Sequence, residues 1–283
     1  MIKNTFYCFV SPVLIFFMVT SGPLYAKDTL LENVSYSSVT ELVTKAPDKK
    51  ISYGDDPLQY GLLWLPEVTN PQQKAPLVVF IHGGCWLNTY DIKHSYAATA
   101  ALAQAGYAVW SLEYRRTGDM GGGWPGSYAD ILAGIGHIDQ LENYAVDLSK
   151  VVLAGHSAGG HLALLAGGES PHVSAVIGLA AISDFERYSQ GTNSCQSAGQ
   201  KFIGGNYTEK PTAYEQANPQ KQSSHNNSLL LQGDADSIVP VTQASESALP
   251  HVIVAGAGHF DWIHPHSAAF QFFLAELNKV FCK

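Results

Sequence analysis

Ser157 lies in Gly155-His156-Ser157-Ala158-Gly159, between the aliphatic run 151–154 and an apolar stretch carrying Leu162, Leu164 and Leu165. The run reads as a buried strand and the stretch after it as a helix. A serine at such a junction, with glycine two positions to either side, forms the G-x-S-x-G turn, which is too tight for bulk at those flanks. The turn presents the hydroxyl at a helix N-terminus, where backbone N–H groups favour developing negative charge. Such a serine can act as a nucleophile, and at neutral pH it needs a base within hydrogen-bond reach.

His259 is the candidate base, because it follows a predicted strand, 251–255, in the flexible setting Gly256-Ala257-Gly258. Among the 11 histidines, His264 and His266 are its competitors. With His259 they raise the idea of a metal cluster, but no carboxylate or cysteine stands at ligand spacing and Pro265 breaks helical pairing, so no metal is expected. An imidazole base needs an acid to fix its tautomer. Asp236 follows the predicted strand 228–232 in Gly233-Asp234-Ala235-Asp236, and the order Ser157, Asp236, His259 runs nucleophile, acid, base. Asp234 lies nearer the strand end and reads as a turn cap. The loop His82-Gly83-Gly84-Cys85-Trp86 follows another aliphatic run, 77–81. Backbone N–H groups of Gly84 and Cys85, with that of Ala158, are the expected oxyanion donors. Gly83 would shape the turn, and His82 would pack and hydrogen-bond to hold the loop.

The elements that must carry these residues alternate. Strands are expected at 58–66, 77–81, 107–113, 151–154, 173–179, 228–232 and 251–255. Helices are expected at 95–104, 128–144, after Ser157 and at 267–281, with 128–144 showing an apolar face at Ile131, Ile135, Ile138 and Leu141. That alternation predicts an α/β fold, a mostly parallel sheet with helices on both faces. The four suspect stretches then fall at carboxyl ends of strands, where such sheets gather function. Residues 184–227 lose hydrophobic period and read as a cap-like excursion over those ends. No internal repeat stands out.

The 283 residues, 46% hydrophobic and 14% charged, are enough for a large core. A net charge of −8 with no basic stripe argues against nucleic acid as a partner. Residues 1–26 carry Lys3, an apolar stretch 9–19 and Leu24-Tyr25-Ala26, which reads as a signal peptide cleaved near Ala26. The expectation is a single exported domain over 27–283, periplasmic or secreted, with no membrane attachment after cleavage. Cys85, Cys195 and Cys282 would remain, an odd number that leaves at least one unpaired thiol. A Cys195–Cys282 bridge and three free thiols are both open.

The motifs His82-Gly83-Gly84-Cys85-Trp86 and Gly155-His156-Ser157-Ala158-Gly159-Gly160-His161, with Glu113-Tyr114-Arg115-Arg116 and Gly122-Gly123-Trp124-Pro125, resemble the HGGxW branch of the α/β-hydrolase superfamily. That branch includes bacterial carboxylesterases, feruloyl and acetyl-xylan esterase-like enzymes, and kynurenine formamidases. The resemblance spans about residues 58–281. It implies a serine hydrolase acting on a small-molecule ester through an acyl-enzyme, without a cofactor, with Trp86 and Trp124 lining the substrate pocket. Phe185, Tyr188 and Trp262 are weaker pocket candidates, and Arg115 or Arg116 would pair with Asp130 behind the site. An amide hydrolase, formamidase-like or a small aminoacyl-peptidase, is the competing reading. A binding module that keeps the fold without activity is the third. Oligomeric state is not legible in the sequence.

Overall fold

In strand β3 (Ala75–Ile81) all seven residues are buried, as expected for a strand covered on both faces. Its side chains alternate: Leu77, Val79 and Ile81 enter one core, Val78 and Phe80 the other. The computed structural model describes residues 30–67 and 73–282. The signal peptide read at 1–26 lies outside the described residues.

Around β3 the chain builds one eight-stranded sheet. The other strands are β1 (Lys49–Ser52), β2 (Tyr60–Trp64), β4 (Ala108–Leu112), β5 (Val146–His156), β6 (Ala175–Leu179), β7 (Ser228–Gly233) and β8 (His251–Val254). Their spatial order is β1-β2-β4-β3-β5-β6-β7-β8. β1 and β2 pair antiparallel, as do β2 and β4, and every later pairing is parallel. This is the α/β-hydrolase arrangement.

The helices are α1 (Tyr36–Thr40), α2 (Tyr96–Gln104), α3 (Gly126–Gly136), α4 (Ala158–Gly167), α5 (Phe185–Tyr188), α6 (Ser194–Ile203), α7 (Pro211–Gln216), α8 (Thr242–Ser245) and α9 (Ala268–Phe281). α2 and α9 pack one face through Ala98, Leu102, Phe270 and Phe273. α3, α4 and α6 pack the other through Ile131, Leu162 and Phe202.

Three differences from the sequence reading have physical causes. The helix expected over 128–144 is α3 followed by a 3-10 segment, His137–Asn143. Ile135, Ile138 and Leu141 are spaced by three, the 3-10 period, and all remain buried. β1 went unread because it is a charged, exposed edge strand, and Lys50 lies 3.6 Å over the ring of Tyr60 rather than in a core. β5 starts at Val146, five residues early, because a register shift opposite Pro76 and Leu77 lets residues 148–150 bulge out of the pairing with β3.

Cysteine pairing also differs. Cys195, in the first turn of α6, is bonded to Cys85 and not to Cys282, with the two Cα atoms 5.1 Å apart. The bond overturns both readings left open for Cys195, the bridge to Cys282 and three free thiols. The partners are 110 residues apart, so spacing carried no signal.

Candidate active site

Ser157 turns the chain from β5 into α4 with φ +56° and ψ −121°, a strained conformation for a residue with a side chain. The turn closes because its flanks are glycines. A Cβ on Gly159 would lie 2.2 Å from the carbonyl oxygen of Ile81, and one on Gly155 would lie 2.3 Å from that of Gly159. The amide of Ser157 donates to the Leu179 carbonyl of β6 at 2.9 Å, fixing the turn to the sheet.

Asp236 and His259 come from the turns after β7 and β8. His259 Nδ1 donates to Asp236 Oδ2 at 2.7 Å. The other carboxylate oxygen accepts the N–H groups of Ile238 and Val239, each at 2.8 Å, and Gln232 Nε2 adds a third donor at 3.1 Å to Oδ2. Burial alone would raise the Asp236 pKa, but the facing His259 and the Val239 and Ile238 amides outweigh it and hold the group below the ordinary carboxylate range. Asp234 accepts the Gly256 amide at 2.7 Å, so it bridges the ends of β7 and β8. Ser157 (2% exposed) and His259 (6% exposed) line one cavity of about 180 Å³, together with Gly84, Cys85 and Cys195. His264 and His266 are not among its lining residues.

The loop after β3 is built on buried polar contacts. His82 stacks on Tyr114 at 4.6 Å and reaches Glu113 Oε1 with Nε2 at 3.0 Å. Arg116 lies 3.0 Å from the same oxygen, and the Ile92 amide donates to Oε2 at 3.0 Å. Burial opposes the charge on Glu113, yet His82, Arg116 and the Ile92 amide together lower its pKa. Gly84 and Cys85 take φ of +112° and +53°. No hydrogen bond among the described residues engages the amides of Gly84, Cys85 or Ala158. Arg115 is the partner of Asp130, at 2.6 Å, and Arg116 serves Glu113 and Asp119 instead.

The aromatic expectations are corrected. Trp86 is 0% exposed, stacked on Phe202 at 5.3 Å and donating to His161 Nδ1 at 3.2 Å, so it has no face left for a ligand. Trp124 lines a different surface cavity, beside Tyr128 and Glu169. Phe185, Tyr188 and Trp262 are fully buried away from the lining. The aromatic wall is Tyr36, Tyr90 and Phe260, with His94 between them and His156. Tyr36, Tyr90 and His94 follow no strand end within a motif, so no local signal marks them, whereas Phe260 is the neighbour of His259 and could have been found from it. Asp261 was missed too. Its buried carboxylate accepts the amides of Asn33 (2.6 Å), Val34 (2.7 Å) and Gly258 (2.9 Å), strapping the segment before α1 to the His259 loop.

Comparison with known proteins gives the family and the fold. The BD-FAE family model matches residues 63–249. The chain is 26% identical over 266 residues to Esterase LipC of Mycobacterium tuberculosis, covering 82% of this chain and 65% of that one. It therefore spans just under two thirds of the length of that curated relative. A truncated carbohydrate esterase from gut microbiota superposes with a TM-score of 0.71 at 20% identity, over 89% of this chain and 100% of the other. Esterase B from Lactobacillus rhamnosis gives 0.69 at 19% identity, over 84% and 87%. These two likenesses carry the fold, and the family match carries the relationship: the chain belongs to the BD-FAE family of α/β-hydrolases.

Proposed function

We propose that the protein is an exported serine hydrolase that cleaves uncharged carboxylic esters with a short acyl group. The observation that carries the reading is the 2.7 Å contact of His259 Nδ1 with a carboxylate already satisfied by backbone donors, on a cavity shared with the strained Ser157. His259 then presents Nε2 as base. Ser157 Oγ attacks the ester carbonyl and His259 takes its proton. The N–H groups of Cys85 and Ala158, with Gly84 beside them, meet the oxyanion. His259 protonates the departing alcohol, and water repeats the sequence on the acyl-enzyme.

The cavity supports the substrate class. Its volume of about 180 Å³ suits a small acyl group, and its described lining carries no Lys, Arg, Asp or Glu. A formyl-amino acid or a peptide N-terminus would enter with charges that nothing there neutralises. Esterase LipC, which matches over 82% of this chain, is named an esterase, whereas dipeptidyl peptidase 8 matches over only 38% of it, which also favours ester over amide.

Hydrolysis of p-nitrophenyl acetate, butyrate and octanoate, beside N-formylkynurenine, tests the reading. Acetate and butyrate should turn over best, the formyl amide least, and Ser157→Ala should abolish turnover by at least about 10⁴-fold. Faster turnover of the amide would move the protein to the formamidases. For export, the mass of the secreted chain should place its first residue at Lys27.

A further inference from the structure

Cys85 and Trp86 are consecutive residues with side chains in the left-handed region, φ +53° and +58°. Such a pair persists only where its surroundings over-determine it. Main-chain bonds hold the far side of the loop, Thr117 N–H to the Trp86 carbonyl at 2.8 Å and Leu87 N–H to the Gly84 carbonyl at 3.0 Å. The side chains of the pair are held by α6, in the segment that crosses the strand ends. Cys85 is bonded to Cys195 at the start of α6, and Trp86 stacks on Phe202 near its end. The same helix start is tied to the turn of the acid. Asn193 caps α6 through a reciprocal pair with Gln196 and donates Nδ2 to the Ile238 carbonyl at 3.0 Å. The amide of that same Ile238 is bound by Asp236. The start of α6 therefore spans from the loop after β3 to the turn after β7, and both Cys85 and Cys195 face the cavity.

We propose that the Cys85–Cys195 bond is a positioning element for the oxyanion hole, holding the Cys85 N–H toward the carbonyl carried by Ser157. This rests on the serine hydrolase reading above. With the bond open, Cys85 relaxes out of the left-handed region and its N–H turns away. The His259–Asp236 pair is held by contacts that do not involve the bond and remains. The loss then falls on stabilisation of the oxyanion, which exists only in the transition state, so it appears in kcat and not in KM. Reduction by dithiothreitol opens the bond without mutation. The reagent is oxidised to its cyclic disulfide, and its two electrons and two protons leave thiols on Cys85 and Cys195.

The test compares oxidised protein, the same protein reduced under native conditions, and Cys195→Ser, all assayed well below their unfolding midpoints. Bond state is read by mass after alkylation. With p-nitrophenyl butyrate, kcat should fall about 10- to 100-fold in the reduced and substituted forms, less than the 10²–10³ lost when an oxyanion donor is deleted outright. KM should stay within about threefold, the pH profile of kcat should keep its midpoint, and reoxidation should restore the reduced sample. Full kcat with the bond shown to be open overturns the proposal. A shift in the pH midpoint does so too, since it places the effect on His259. A Cys195→Ser chain that fails to fold also overturns it, because the bond then serves the fold and not the loop. If oxidised protein neither turns over esters nor reacts at Ser157 with a phosphonate, the hydrolase reading itself fails, which is a separate outcome.

Discussion

His156 Nε2 donates to the main-chain carbonyl of His259 at 2.8 Å, so the residue before the candidate nucleophile holds the loop of the candidate base. A carbonyl only accepts, which places the ring proton on Nε2. Nδ1 is buried without a partner. Burial and then the neighbouring His259 push the His156 pKa down to about 3, so the ring is neutral at any ordinary working pH.

Removing that donor should loosen the base without touching Ser157. His156→Phe keeps the aromatic packing against His94 and His259 but leaves the His259 carbonyl without its donor. We expect kcat for p-nitrophenyl butyrate to fall about 10- to 100-fold, with a stability loss of about 1–3 kcal/mol in urea unfolding. Unchanged kcat would show that the loop is held by its other contacts.

Acid should weaken the fold well above the carboxylate range. His94, His156 and His161 are fully buried and their pKa values are lowered, His156 to about 3 and His161 to about 4. Unfolded, each would titrate near its ordinary 6.5. Between about pH 6.5 and 4 the unfolded chain therefore binds protons that the folded chain refuses, and stability falls as pH falls. Each histidine contributes a slope of up to about 1.4 kcal/mol per pH unit there. Asp236 and Glu113 act in the same direction lower down. Their folded pKa values are depressed, so their contribution is present above the ordinary carboxylate range and is lost as pH drops through the folded values. Thermal unfolding at pH 7, 6 and 5 should show a steadily lower midpoint, and a flat midpoint would contradict the assignment of neutral buried rings.

The strap before α1 should set which esters fit. Asp261 gathers three amides, and an amide side chain in its place turns an N–H₂ toward groups that also donate. Asp261→Asn should cost about 2–3 kcal/mol in unfolding free energy. It should also release Tyr36, whose ring packs on Phe260 at 5.2 Å and on His94 at 5.5 Å in the cavity wall. Tyr36→Ala should reproduce the change in substrate profile, a relative gain for octanoate over acetate of about tenfold in kcat/KM, without most of the stability loss. Octanoate discrimination unchanged in both variants would remove Tyr36 from the substrate wall.

The parts of the site that were legible in the sequence share one property: each follows a strand. Ser157, Asp236 and His259 are announced by an aliphatic run that stops at glycine, and His82 ends such a run just before Gly83-Gly84, so local pattern and parallel-sheet geometry suffice to bring them to one edge. The parts that were not legible depend on distant pairing. Asp261 binds Asn33 and Val34 across 228 and 227 positions, and Cys85 finds Cys195 across 110. No periodicity encodes such contacts. Trp86 misled for a related reason: beside a glycine loop, an aromatic that stacks on Phe202 has the same sequence neighbours as one that meets substrate.

The strap has a practical corollary for handling the protein. Leu31 bridges to Ser267, and Tyr36 enters the cavity wall five positions later. Five residues reach at most about 17 Å, so a fusion partner or affinity tag joined directly at residue 30 would start within about that distance of a cavity-wall residue. A handle following α9 shares no residue with that lining. Purification tags and surface-immobilisation chemistry therefore belong at the carboxyl end.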